Sequence, residues 1–394
     1  MKPDYRYQAL YLHIPFCAKR CRYCDFETRA IKADDELLDL YTESLIEDIR
    51  SAAQDKLLAC IKTIYLGGGT PTFLGHRRLL RLLEAISLGV NPDPDIEFTL
   101  EANPESLSPA IIQDAAHLGV NRISLGVQSF DDGELEALGR IHDAKTALSA
   151  IEAARERLDN VSIDLICGIP GQDELSWLHT LNRAIRLDLP HVSIYPLTVE
   201  EGTPLARDIK EGCIRQPNED LQAWLMEMAE ELLENDDLVR YEVASYARTG
   251  YKCRHNRAYW TGVAYLGLGQ GAAGMRQSEL GRERLMNGEV IEVLSPREAL
   301  LEDLMLGMRL SEGVDAAQIA QAWLLAPAIA DTFQELIALG LVKYRDGRYR
   351  PTSKGWLLGN ELYGRIWALA EQDDRKSNVS DIKRPLIDGY LYEV

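Results

Sequence analysis

Short runs rich in β-branched and aromatic residues recur along the first half of the chain, each followed by a longer stretch with apolar residues at helical spacing. The runs are 7–15, 63–67, 97–102, 122–127, 161–168 and 191–197, and the amphipathic stretches are 34–53, 77–87, 109–118, 144–158 and 175–187. Such alternation predicts βαβ units and a parallel sheet. Six strands predict an α/β fold, an incomplete parallel (β/α)6 barrel of the TIM type. Each run ends in polar residues or chain breakers: His13 and Pro15, the GGGTPT run at 67–72, Glu101-Ala102-Asn103-Pro104, Gly126-Val127-Gln128-Ser129, Asp164 followed by Gly168-Ile169-Pro170-Gly171, and Tyr195-Pro196. Glycine and proline at any one end are ordinary loop punctuation. At six ends together they predict one shared pocket, because parallel barrels build their sites where the strands finish.

The pattern changes after residue 238. Residues 239–247 predict a further strand, followed by Arg254-His255-Asn256-Arg257-Ala258-Tyr259-Trp260 and the glycine-rich 266–271. From 295 the chain turns helical, over 299–309, 316–325 and 329–339, and Asp346-Gly347 within 341–350 signals a hairpin. The expected organisation is a barrel over 1–238, an extension over 239–294 and a helical, winged-helix-like domain over 295–394. A winged helix can bind DNA or simply pack, and fold alone does not decide. The acidic surroundings here favour packing.

Charge narrows the function classes. The chain of 394 residues carries a net charge of −19, which argues against general affinity for nucleic-acid phosphates and for anionic lipid. No apolar run reaches the roughly 18 residues that span a bilayer. Met1–Tyr7 lacks the apolar core of a secretory signal, so a cytoplasmic protein is expected. Disulfides are then not expected among the seven cysteines. Cys60, Cys167, Cys213 and Cys253 are scattered and read as ordinary thiols, with Cys253 also a candidate ligand. Cys17, Cys21 and Cys24 fall within eight residues, and such clustering points to metal. Thiolates at CxxxCxxC spacing suit three irons of one [4Fe–4S] cluster, which normally takes four cysteines. The fourth iron stays open to the amino and carboxylate groups of S-adenosylmethionine (SAM), whose reductive cleavage gives a 5′-deoxyadenosyl radical. Zinc would want a fourth nearby Cys or His at regular spacing, and His13 precedes the cysteines inside a strand.

The cysteine motif directly after the first strand resembles the radical SAM superfamily. Further segments, His13-Ile14-Pro15-Phe16-Cys17, the GGGTPT run, Glu101–Pro104, Gly126–Phe130, Leu138-Gly139-Arg140-Ile141-His142, Asp164-Leu165-Ile166 and the HNRAYW run at 255–260, resemble the oxygen-independent coproporphyrinogen III oxidase-like family. The resemblance covers about residues 8–365. True decarboxylases of that family have a longer N-terminal extension and a fourth cysteine two residues after the third, where this chain has Phe26. Cys24-Asp25-Phe26 and the complete HNxxYW motif are similar to the other branch, the heme chaperones (HemW-type).

That resemblance implies a cluster on Cys17, Cys21 and Cys24, with SAM held by Tyr11, Tyr23, Gly68, Gly69, Thr70, Glu101, Gln128, Arg140 and Asp164. Arg140 is suited to the SAM carboxylate, Glu101 to its ammonium or a hydroxyl, and Gln128 and Asp164 to the ribose. Alone, Arg140 reads equally as a surface ion pair, and Tyr11 and Tyr23 as core aromatics. A carboxylate inside an apolar strand, such as Asp164, demands a partner. His255 is the candidate heme ligand, with a structural turn-capping histidine as the other reading; His13 and His142 are weaker candidates. Tyr259 and Trp260 either line a porphyrin face or simply pack. The implied function is to bind the cluster, SAM and heme, and to pass heme to acceptor hemoproteins. The alternative is an oxygen-independent coproporphyrinogen III dehydrogenase of porphyrin biosynthesis. The implied partners include an electron donor such as flavodoxin or ferredoxin.

Overall fold

The computed structural model describes residues 6–371 apart from 92 and 280. The segment 1–5, part of the stretch without a signal-like apolar core, lies outside the described residues, as does 372–394, the end of the expected C-terminal domain.

The six runs form the strands β1 (Ala9–Ile14), β2 (Thr63–Gly68), β3 (Glu97–Ala102), β4 (Arg122–Gln128), β5 (Asn160–Cys167) and β6 (His191–Pro196). They pair in parallel and in chain order. Helices Glu36–Gln54, His76–Gly89, Pro109–His117, Ala144–Arg155 and Glu174–Arg186 make the crossovers. The helix starts are written locally: Asp35, Ser108, Asp143 and Asp173 each accept from a backbone N–H in the first turn. Leu38, Leu45, Ile49, Leu79, Leu82, Ile86, Trp177 and Leu181 from these helices close over Leu10, Leu66, Leu100, Ile123 and Ile163 of the strands.

Both edges of the sheet differ from the expectation. Residues 239–247 are not one strand but a tight antiparallel pair, β7 (Val239–Arg240) and β8 (Ser245–Ala247), with β8 antiparallel to β6. Glu242 interrupts the run: its side chain is buried and accepts from Trp260 Nε1 at 3.1 Å. At the other edge the glycine-rich segment supplies a seventh parallel strand, β9 (Tyr265–Leu268), beside β1. An antiparallel meander follows, β10 (Ala273–Ser278), β11 (Gly281–Met286) and β12 (Glu289–Leu294). The sheet order is β12-β11-β10-β9-β1-β2-β3-β4-β5-β6-β8-β7, an open barrel.

The C-terminal part carries helices Pro296–Gly307, Ala316–Trp323 and Ile329–Ala338. A hairpin, Val342–Arg345 with Arg348–Pro351, follows them, and Val314–Asp315 adds a third strand to it. Asp346 and Gly347 both have positive φ, 53° and 74°, as a type I′ hairpin turn requires. The module has its own core around Leu301, Met305, Ile329, Phe333, Leu336 and Ile366. Among the described residues no helix is long and apolar enough to cross a membrane.

Candidate metal and cofactor site

The chain leaves β1 through Pro15 and makes a two-residue parallel pairing, Phe16–Cys17 with Arg29–Ala30. This pairing closes the loop that bears Cys21 and Cys24. All three cysteines are half-buried and line one cavity of about 280 Å³ at the C-terminal ends of the strands. Tyr23, Gly68, Gly69, Glu101, Gln128, Arg140 and Asp164 line the same cavity. Thr70 stands behind the wall, donating from Oγ1 to Cys17 Sγ at 3.4 Å. Tyr11 does not line the main cavity; it faces an adjoining chamber of about 40 Å³ with His13, Phe26, Tyr65, Glu101, His255 and Tyr259.

The glycines are there because backbones meet. Gly68 has φ +108°, and a Cβ on it would come to 2.6 Å from the His13 ring. A Cβ on Gly69 would come to 2.7 Å from Phe16 O, 2.9 Å from Ile14 O and 3.0 Å from Cys17 Sγ. The Gly69 and Thr70 N–H groups donate to Ile14 O and Phe16 O at 2.8 and 2.9 Å, pinning the glycine run under the cysteine loop. Gln128 takes φ 69° where the register between β4 and β5 slips, so it faces the cavity from a bulge.

Arg140 is half-buried and joins three walls. Its Nη1 donates to Cys21 Sγ at 3.3 Å, and its Nη2 to Asn103 Oδ1 at 2.6 Å and Gly126 O at 2.8 Å. Its Nε is buried without a partner, a donor that a ligand carboxylate would satisfy. Glu101 accepts from the Tyr65 hydroxyl at 2.5 Å and the Gly68 N–H at 3.0 Å. Burial nevertheless pushes its carboxyl up to about 7. Burial likewise raises Asp164, opposed by the charge of Arg122 and by hydroxyl donation from Ser193 and Ser124.

The donor set fits a cluster. Burial raises the Cys17 thiol to about 11 and the Cys24 thiol in the same direction, so metal uptake there releases protons. A guanidinium and a hydroxyl already point N–H and O–H groups at Cys21 and Cys17, as ligating thiolates require. Among the described residues no group of three or more His, Cys, Asp or Glu is gathered to hold a single ion. A cubane asks for something different, since each cysteine takes its own iron.

His255 is fully buried under the barrel. Its Nδ1 pairs with Thr63 Oγ1 and its Nε2 with the Tyr259 hydroxyl, both at 2.9 Å, and its ring stacks on Tyr65. Desolvation pushes it down to about 3, so it is a neutral imidazole. Trp260 belongs to the core of the C-terminal module rather than to a cavity wall. His13 donates from Nε2 to Glu27 O at 3.1 Å, leaving Nδ1 to accept from the Tyr11 hydroxyl at 2.8 Å. His142 is held by Glu105 and Val127 O. Cys253 is buried against Asn256 and Glu97, and Cys167 is buried, while Cys60 and Cys213 are exposed.

Asn103 and Tyr195, at two of the strand ends expected to share a pocket, line the cavity, and so do Arg122, Ser124 and Ser193, which were not expected from the sequence. A signal was present: on β4, β5 and β6 the polar residues fall at alternate positions, 122 and 124, 162 and 164, 191 and 193. In strands buried on both faces, that period marks the barrel interior.

Comparison with known proteins identifies the family. The radical SAM superfamily signature matches residues 11–184, and the HemN C-terminal domain signature matches 294–358. The heme chaperone HemW of Bacillus subtilis is 33% identical over 380 residues, covering 91% of this chain and 98% of that protein. That of Lactococcus lactis is 35% identical over 370 residues, covering 90% and 95%. The chain belongs to the HemW family. Its fold is also that of the solved Escherichia coli coproporphyrinogen III oxidase HemN, a radical SAM enzyme, with TM-score 0.76, 23% identity and coverage of 92% and 90% of the two chains. As a HemW-family member the chain is a radical SAM protein. The family thereby implies a [4Fe–4S] cluster and SAM, and the cysteine-lined cavity is the place where the residues suit them.

Proposed function

We propose that this chain is a heme chaperone that holds a [4Fe–4S] cluster and SAM at the barrel mouth, binds heme, and passes it to an acceptor hemoprotein. The observation that carries this reading is identity over nearly the whole length to two HemW proteins, with Phe26 standing where a decarboxylase has its fourth cysteine. Cys17, Cys21 and Cys24 would hold three irons. Arg140 would take the SAM carboxylate, Glu101 an N–H of its amino group or a hydroxyl, and Gln128 and Asp164 its ribose. The cluster supplies one-electron chemistry when bound; the side chains orient the ligand and keep water from it.

His255 is our candidate for the heme iron. Because its Nε2 is engaged by Tyr259, heme ligation there requires that hydrogen bond to open. Anaerobic titration of the reconstituted protein with hemin is expected to give a Soret band at one heme per chain, and H255A is expected to shift or lose it. Absence of heme binding with and without the cluster would refute the reading. Growth of a decarboxylase-deficient strain carrying this chain would favour the biosynthetic enzyme instead.

A further inference from the structure

We propose that Glu97 is a positioning residue for the heme-binding histidine: from inside the barrel its carboxylate caps helix Arg254–Trp260 and thereby sets where His255 stands; this rests on the His255 reading above. An α-helix starts with backbone N–H groups that have no partner within it. The barrel helices satisfy theirs locally, through the N-cap residues Asp35, Ser108, Asp143 and Asp173. At the HNRAYW helix the N-cap residue is Cys253, whose side chain makes no such bond. The acceptor comes instead from 157 residues before Arg254. Glu97, buried at the first position of β3, takes the Arg254 N–H on Oε2 at 2.8 Å and the His255 N–H on Oε1 at 2.9 Å. The Cys253 thiol lies 3.5 Å from the same Oε1 and 3.2 Å from Asn256 Oδ1.

A buried carboxylate is costly and needs donors. Among the described residues Glu97 has no ion pair, and Arg122 acts on it only through space. Its burial therefore depends on the helix, as the helix start depends on Glu97. A serine or asparagine at 253 would cap the helix without burying a carboxylate. What the distant carboxylate adds is attachment to the strand pair that also holds the histidine ring.

Thr63 and Glu97 are direct partners in the parallel ladder of β2 and β3. Glu97 holds the backbone N–H of His255, and Thr63 Oγ1 pairs with its Nδ1 at 2.9 Å. Nε2 is then the nitrogen left to the small chamber and the Tyr259 hydroxyl. When that bond opens to admit iron, the ring stays fixed at its other nitrogen, as ligating histidines require. The next residue, Asn256, lines the main cavity, so the same cap sets the helix against both chambers. At the far end Trp260 Nε1 donates to Glu242, a second buried carboxylate.

Hemin is titrated anaerobically into the reconstituted full chain as wild type, E97Q, H255A and E97Q/H255A. In E97Q an amide nitrogen faces one of the two N–H groups, and half of the cap is lost. The expected result is a hemin Kd weakened about tenfold or more, the worth of a hydrogen bond to a carboxylate, with the Soret band moved toward that of H255A. In the H255A background E97Q should change the Kd by less than about twofold, since a residue acting through His255 has nothing left to act on. Hydrogen–deuterium exchange of the hemin-free protein should be about tenfold faster over 253–256. Tryptophan fluorescence and iron per chain serve as folding controls. E97D, which withdraws both oxygens by one methylene, takes the place of E97Q if that variant does not fold. Wild-type hemin affinity and Soret position in the variant overturn the proposal. So does an equal loss in the H255A background, which marks a general loosening of the barrel. If H255A binds hemin as the wild type does, the heme reading of His255 fails, and the exchange rates still decide whether Glu97 holds the helix.

Discussion

Glu101 shows how burial and hydrogen bonding compete at one side chain. The Tyr65 hydroxyl and the Gly68 N–H favour its charged form, yet desolvation, aided by the nearby Asp164, outweighs them and lifts it to about 7. Its folded value exceeds the ordinary 4.5, so the ligand-free chain holds the proton across that window, and ionising the group costs stability as pH rises through it. An N–H of the SAM amino group is accepted best by the ionised carboxylate. SAM affinity of the reconstituted protein is therefore expected to rise about tenfold between pH 6 and 8, following the ionised fraction of a group near 7. E101Q should bind weakly with a flat profile. Anaerobic calorimetry across that range checks this, and a wild-type affinity independent of pH would remove Glu101 from the SAM amino group. Glu101 and Asp164 were legible in the sequence because a carboxylate within an apolar strand has to be satisfied. Arg122 was not, since it follows Gly119-Val120-Asn121 at a strand's first residue and reads there as loop edge.

At the scale of elements, the strand ends were legible and the sheet edges were not. The buried barrel strands announce themselves by apolar runs, and their polar ends converge because parallel strands share a direction. The meander carries no such pattern. β10, β11 and β12 read AGMRQS, GRERLM and EVIEVL, and charge pairs set directly across the ladder take part in joining them, Arg276 with Glu283 at 2.6 Å and Arg284 with Glu292 at 2.9 Å. Such pairs are visible only once the strands are paired. The glycine run shows the opposite case, where a local motif predicts a tertiary contact. A methyl group on Gly69 would fall within 3.0 Å of Phe16 O, Ile14 O and Cys17 Sγ, two of them rigid backbone atoms. G69A is expected to fold, by circular dichroism, but to displace the cysteine loop. Iron per chain after reconstitution should drop severalfold, and normal iron content would show that the loop has room the packing does not suggest.

The molecule as a whole is held together by buried arginines between the barrel and its C-terminal module. Arg240 lies over Trp356 at 4.1 Å, and Arg309 sits between Trp260 and Tyr363 at 4.9 and 4.5 Å. Arg282 of β11, almost fully buried, pairs with Glu302 and, at 2.5 Å, with Asp303 on helix Pro296–Gly307. The HNRAYW helix, Arg254–Trp260, spans the junction, with His255 against the barrel strand β2 and Trp260 in the module's core. That double role gives this motif a structural reason to exist beside any part in heme binding, and the sequence alone did not distinguish the two. Removing Arg282 leaves Glu302 with Arg284 alone and Asp303 facing a vacated site, and burial already raises Asp303. Breaking a buried ion pair from one side costs about 3–5 kcal/mol. R282A is therefore expected to lower the unfolding midpoint by several degrees, with tryptophan fluorescence reporting early loosening of the module. R282M/E302Q/D303N, which removes the stranded charges as well, should recover much of that loss. A triple variant no more stable than R282A would mean that the arginine acts through its packing rather than through its charge.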